Sequence, residues 1–390
     1  MIKTCTFITI CTFLMTLWAN AQNSKSDKTT ETENTGRFKT LEIKAHSGGH
    51  LYTGKTLTSK LESGYGALEG RFGWQGRNKD IWGINGYPTY GVGFYTGFIG
   101  DPEVFGNPNA LYGFIDFPVS RFSRKNVFSI SPAFGLTYNL NAFNPETNPL
   151  NDAIGARMAV YFNLNFGWSY KWTREMDITY GIDFTHFSNG RTFTPNYGLN
   201  MFGLNLGLRY HYNADQRKVD NDMYPTQLLA SRYKRSEKIH NVKLEDNQSI
   251  NLYLAVGTVQ TEAGAGTDIR YATYSIVLEY QHKFNSMHSV SGGIDYLVDK
   301  SVAETYPEGG GKAAMMAVHA GYDFMFWKFT IPLHIGVNVT DSLDKGSSFM
   351  RPAIRYDFNK WAYAQIGLKT KDGTTADWVD FGIGFRPFKW

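Results

Sequence analysis

Three side chains able to activate a hydroxyl lie within the stretch FTHFSNGRTFTPNYGLN, residues 184–200: His186, Ser188 and Asn200. A serine hydroxyl is a poor nucleophile until a neighbouring imidazole takes its proton. The imidazole in turn needs an acceptor on its other nitrogen, and an asparagine oxygen can serve. Asparagine brings no charge to stabilise the imidazolium, so weaker activation is expected than with a carboxylate. Asn189 and Gly190 follow the serine and offer backbone or amide donors to an oxyanion. The chemistry would be acyl transfer, with Ser188 attacking an ester carbonyl and His186 shuttling the proton. His-x-Ser is a common coincidence as bare spacing, so the elements that carry it decide its meaning.

Counting back from Ser188, every second residue is His186, Phe184, Ile182, Tyr180 and Ile178; the alternate set is Phe187, Thr185, Asp183, Gly181 and Thr179. In an extended chain, residues two apart share a face. His186 and Ser188 therefore end the apolar face, and parity puts Asn200, at the start of the next strand, on the same side. Asp183 resembles a spare triad acid, but parity sends it to the opposite face. Asp116, in GFIDFP, is likewise expected inside, hydrogen-bonded for structure.

The same alternation runs through most of the chain. Met158, Val160, Phe162, Leu164, Phe166 and Trp168 oppose Ala159, Tyr161, Asn163, Asn165 and Gly167; Phe202, Leu204, Leu206 and Leu208 oppose Gly203, Asn205, Gly207 and Arg209. These runs outlast the usual globular strand of about five or six residues and suit a membrane-crossing strand of about nine to eleven. Aromatics crowd the strand ends, as interfacial girdles require. The reading is an all-β transmembrane antiparallel barrel of the outer-membrane type, with about sixteen strand candidates. One large barrel is the expected closure, and two eight-stranded barrels the alternative. Connections alternate between tight turns such as TRE after Trp172 and longer loops such as 189–199. Short periplasmic turns and long external loops are the barrel habit, which puts the end of the His186 strand at the cell surface.

The ends and the composition agree. MIKTCTFITICTFLMTLWANA has a basic start, an apolar run and a small-x-small site, so residues 1–21 read as a secretory signal peptide. Cys5 and Cys11 both lie in it, leaving no thiol chemistry or disulfide for the mature chain. Residues 22–37 read as a polar lead-in, 38–213 as an N-terminal barrel half carrying the site, 214–248 as a charged linker or periplasmic element, and 249–390 as a C-terminal half. The formal net charge of +4 is spread thinly, so nucleic acid is not an expected partner. The remaining histidines show no metal-ligand spacing, and no glycine-rich phosphate loop is present. No cofactor is expected.

THFSNGRTFTPNYGLN, with its His-x-Ser-Asn and its Pro-Asn-x-Gly, resembles the signature of the lipid A 3-O-deacylase family. NPNALYGFIDFP and NPLNDAIGA are similar to the longer acyloxyacyl hydrolases of the Bacteroidetes. The resemblance covers residues 85–213, the C-terminal half matching only as generic barrel. It implies an outer-membrane esterase that removes an ester-linked acyl chain from lipid A, with lipopolysaccharide of the outer leaflet as partner. It also implies Ser188 as nucleophile and His186 as base. The family's third member is a glutamate; that position is Asn200 in this sequence. An outward-facing site explains why polar residues end an apolar face, since a substrate in the outer leaflet must be met from the lipid side.

Overall fold

Strict alternation forces extended chain, and the computed structural model carries it as sixteen strands among the described residues. Those residues are 38–390 without 53, 55, 63, 76–87, 121–124, 174, 213–245, 307–312, 341–344 and 374. The expected signal peptide and lead-in, and nearly all of the expected linker at 214–248, lie outside them.

Strands β1 (Phe38–His50), β2 (Tyr65–Gln75), β3 (Thr89–Phe98), β4 (Gly106–Pro118), β5 (Asn126–Leu140), β6 (Ala159–Lys171), β7 (Met176–Ser188) and β8 (Leu199–His211) pair in order. β1 then pairs with β8, from Thr40 opposite His211 to His50 opposite Met201, and a barrel closes. Strands β9 (Gln248–Val259), β10 (Tyr271–Lys283), β11 (His288–Asp299), β12 (Ala314–Phe326), β13 (Phe329–Asn338), β14 (Ser348–Asp357), β15 (Ala362–Lys371) and β16 (Thr375–Lys389) close a second one through β16 and β9. The expectation of one large barrel is corrected to its alternative, two barrels of eight. With β1 and β8 already bonded to each other, neither offers an edge to β9 or β16, and closure leaves no unpaired edge behind.

The faces follow parity. Ile43, Leu111 and Leu204 point outward, 63%, 63% and 66% exposed, while Glu42, Lys44, Glu69, Arg71 and Asp183 point inward and are buried. An eight-stranded interior is just wide enough for side chains to fill. In the first barrel, Arg71 Nε donates to Glu69 Oε1 at 2.8 Å, and Arg209 reaches Glu42 and Asp116 at 3.1 and 2.9 Å. His46 bonds Asp183 through Nδ1 at 2.7 Å and Glu69 through Nε2 at 3.1 Å. Towards the looped end the filling turns aromatic: Tyr95, Tyr112, Tyr161 and Phe187 are buried and in ring contact.

The connection at Trp172–Met176 closes with Trp172 N–H and Thr173 N–H donating to Met176 O. Phe326 pairs with Phe329 around a two-residue turn at Trp327 and Lys328. Among the described residues three short α-helices, α1 (Thr58–Leu61), α2 (Pro102–Phe105) and α3 (Lys300–Thr305), sit in connections at the opposite rim. Runs of four to six residues are too short to show a 3.6-residue period. α2 carries a local signal all the same, since Asp101 accepts from Glu103 N–H as its cap and Pro102 opens the helix. Among the described residues no helix is long and apolar enough to cross a membrane, a statement that does not bear on barrels.

Candidate active site

β7 and β8 are joined by the loop 189–198, and their register sets His186 directly opposite Asn200. Nδ1–H of His186 donates to Asn200 Oδ1 at 2.6 Å. An amide oxygen can only accept, so Nδ1 carries a proton, and in the neutral ring Nε2 keeps its lone pair. This is the tautomer a general base needs. Ser188, two residues on along the same face, lies opposite Val160, as His186 lies opposite Phe162. The shared face of His186, Ser188 and Asn200 is thus realised.

Ser188 Oγ accepts two hydrogen bonds, from Asn196 Nδ2 at 2.8 Å and from Gly190 N–H at 3.2 Å. Both lone pairs are then engaged, and only the hydroxyl proton is uncommitted. No hydrogen bond joins Ser188 to His186 among the described residues. Catalytic hydrogen bonds are often long before substrate binds. The expected donors to an oxyanion are partly committed: Asn189 N–H goes to Asn196 Oδ1 at 3.2 Å, and Gly190 N–H to the serine. The side-chain nitrogen of Asn189 is not, although Oδ1 of the same residue accepts from Phe193 N–H at 3.4 Å. Nδ2 is buried and has no partner among the described residues.

Asn196 is the site residue that sequence reasoning missed. Pro-Asn-x-Gly was visible as a motif, but only the loop's return path shows that its asparagine reaches the serine. The glycine of the motif has its own reason. Gly198 has φ +76, and a Cβ there would lie 3.0 Å from His186 Cε1. Gly198 N–H and Tyr197 N–H donate to Ala153 O and Asp152 O, so the β5–β6 loop supports the β7–β8 loop.

The second barrel holds the other side of this loop. Gly190 has φ +62, and a Cβ there would fall 2.3 Å from Val379 Cγ2 on β16. Arg191, a non-glycine residue at φ +65, donates through its guanidinium to Asp299 Oδ2 at 3.2 Å and lies 3.6 Å from Asp377 Oδ1. Gln260, just past β9, donates its N–H to Arg191 O at 3.0 Å and accepts from Thr194 N–H at 2.7 Å. A left-handed conformation is costly for a residue with a Cβ and persists only when neighbours over-determine it. These neighbours belong to the second barrel. Ser188 is consequently 7% exposed, roofed by the loop.

Asp183 and Asp116 are lumenal as expected, Asp183 bonded to His46 and Asn163 and Asp116 to Arg209. Neither approaches the imidazole of His186.

Fold and site together define a class: a closed outer-membrane-type β-barrel with a histidine–asparagine pair and a serine on its outward face. The model of the family lipid A 3-O-deacylase (PagL) matches residues 64–209, and that of the acyloxyacyl hydrolase C-terminal domain matches residues 248–390. The two matches, one over each barrel, support the lipid A deacylase family for this chain. The second match corrects the expectation that the C-terminal half is generic barrel, because that half has a family domain of its own. No curated protein matches the sequence. Among solved structures, Neisserial surface protein A is 9% identical, covering 44% of this chain and 96% of its own, with a TM-score of 0.31. A double mutant of the Rh. blastica porin is 11% identical over 89% of this chain and 99% of that one, with a TM-score of 0.21. OccK5 of Pseudomonas aeruginosa is 9% identical over 90% and 96%, with a TM-score of 0.22.

Proposed function

We propose that this protein is an outer-membrane serine esterase that hydrolyses an ester-linked acyl chain of lipid A. The observation that carries the reading is the His186–Asn200 hydrogen bond, which in the neutral ring leaves Nε2 unprotonated two residues from Ser188 on one face. Nε2 takes the hydroxyl proton as Oγ adds to the ester carbonyl. Asn189 Nδ2 is the donor available to the resulting oxyanion. Collapse expels the sugar alkoxide, which takes the proton back from Nε2. Water then attacks the acyl-serine by the same route, releasing the fatty acid and restoring Ser188. Asn196 holds Oγ in place throughout. The chemistry calls for no cofactor.

The rival reading is a non-enzymatic barrel, a pore or surface-binding protein. The ion pairs and rings filling the first lumen argue against a pore. Mass spectrometry of lipid A from a lipopolysaccharide-bearing host decides. Expression of the folded protein is expected to remove the mass of one 3-hydroxyacyl chain and release that acid. A spectrum identical to that of the empty host overturns the proposal.

Asn200 tests the third role. Asn200→Ala is expected to lower the hydrolytic rate without abolishing it, since the ring loses its orientation but not its basicity. Asn200→Glu is expected to match or exceed wild type, by up to about ten-fold, because a carboxylate also stabilises the imidazolium. Rates on purified lipid A give the answer. A large loss in the folded Glu variant would mean that Asn200 binds sugar or oxyanion instead.

The loop contacts predict a dependence of the site on the second barrel. Arg191→Ala is expected to reduce kcat by roughly ten-fold with KM little changed, because it loosens the loop bearing Asn189 and Asn196 without touching the acyl-chain surface. Arg191→Lys should recover part of the loss. Unchanged kcat in Arg191→Ala would show that the loop holds its shape unaided.

A further inference from the structure

The second lumen contains a cluster that the ester chemistry does not use. Glu279 on β10, His319 on β12 and His334 on β13 are all buried, and their ligand atoms lie within 4.8 Å of one another. Nε2 of both imidazoles lies near the same carboxylate oxygen, Glu279 Oε2, at 3.5 Å for His319 and 3.6 Å for His334. These separations are too long for N–H···O hydrogen bonds. They are close to the ligand–ligand edge of about 3.4 Å set by a tetrahedral ion with bonds of about 2.0–2.2 Å.

The first barrel supplies an internal control. There His46 is a purely structural lumenal histidine, with both ring nitrogens at hydrogen-bonding distance from carboxylates. His319 differs: Nδ1 is bonded to Asp295 at 3.1 Å, but Nε2 has no hydrogen-bond partner among the described residues. A carboxylate on one nitrogen and an open lone pair on the other is how a metal-ligating histidine is oriented. Glu279 is prepared in the same way. Its Oε1 is occupied by Asn251 Nδ2 at 2.8 Å and by Arg355 at 3.2 Å, leaving Oε2 for the cluster.

Charge points the same way. Glu279, Asp295, Asp323 and Asp380 surround Arg351 and Arg355, four carboxylates against two guanidiniums. Two imidazolium ions would balance them, but the rings of His319 and His334 are stacked, 4.8 Å apart and 12° from parallel. Like charges would then face each other in a buried space. A dication held by two neutral imidazoles balances the same carboxylates without that repulsion.

We infer that Glu279, His319 and His334 form a binding site for a divalent transition-metal ion of the zinc type, bracing β10, β12 and β13 from inside the second barrel. Nitrogen ligands favour zinc or cobalt over magnesium or calcium. On binding, His334 Nε2 exchanges its contacts with Ser291 Oγ at 3.1 Å and Asp323 Oδ1 at 3.2 Å for the ion. The site is walled by the barrel, so the ion enters as the strands close.

The test is untagged full-length protein, stripped with chelator while unfolded and refolded in detergent with Co²⁺ or Zn²⁺. About one ion per chain is expected after gel filtration, with visible cobalt absorption of low-symmetry coordination and a metal-dependent rise in the unfolding midpoint. His319→Gln and His334→Gln should each weaken binding at least about ten-fold, while His46→Gln in the first barrel leaves it intact. Electrophoretic mobility of the folded barrel shows which variants fold. Should both second-barrel variants fail to fold, competition of the wild type against a chelator of known affinity decides in their place. Wild type that refolds without stoichiometric metal, or folded variants that bind as wild type does, would overturn the inference.

Discussion

Ser188→Ala is expected to abolish deacylation while leaving the barrel folded, a loss on the order of 10⁴ or more in rate. The size follows from what is removed. Oγ is the proposed nucleophile, held by Asn196 and Gly190 and backed by a histidine in the right tautomer. His186→Ala should cost a similar factor, because an unassisted serine is too weakly nucleophilic near neutral pH. The double variant should be no worse than either single one, since residues that act as a unit are not additive. Asp183→Asn is the control for charge near the site: the carboxylate faces the lumen, so the rate per folded molecule should hold. The readout is fatty acid released from purified lipopolysaccharide. Deacylation persisting in Ser188→Ala would remove the serine from the mechanism and the reading with it.

The second large effect is on stability. Arg71 lies fully buried in the first lumen, donating to Glu69 at 2.8 Å and Ser131 at 3.0 Å, with its guanidinium 4.8 Å from the Phe114 ring. Arg71→Met keeps much of the volume but removes the guanidinium that pairs with Glu69 most closely, leaving its charge to His46 at 3.1 Å and the more distant Lys44 at 4.0 Å. Breaking one half of a buried pair typically costs about 3–5 kcal/mol, a factor of roughly 10² to 5 × 10³ in the folded-to-unfolded ratio. Replacing Glu69 by Gln as well should return a good part of the loss, because no uncompensated charge then remains. Arg209→Met should cost less, since that guanidinium is partly exposed at the lumen's end. Urea titration of the refolded barrel measures all three. Equal midpoints for wild type and Arg71→Met would mean that the lumenal network does not hold the barrel together.

Much of this protein is legible without coordinates because a strand's side-chain period is local. Parity alone placed Ile182, Phe184 and His186 outside and Asp183 and Thr185 inside, and the structure has them so. Strand number followed from the same period. Parity also set Ser188, His186 and Asn200 on one side. What it could not supply is distance. The 2.6 Å contact of His186 with Asn200 depends on the register of β7 against β8, which the intervening loop decides.

Closure was equally invisible. One barrel of sixteen strands and two of eight share every alternation in the sequence, and differ only in whether β1 bonds β8 or β16. That pairing joins Thr40 to His211, across most of the N-terminal half. It is settled by which strand fills the free edge, not by any local pattern. The same holds for the roof of the site. Asn196 reaches Ser188 only because the loop folds back, and Arg191 keeps its left-handed backbone only because Asp299 and Gln260 of the other barrel bind it. Local sequence determines which face a side chain takes; contacts between residues a hundred positions apart determine what it meets there.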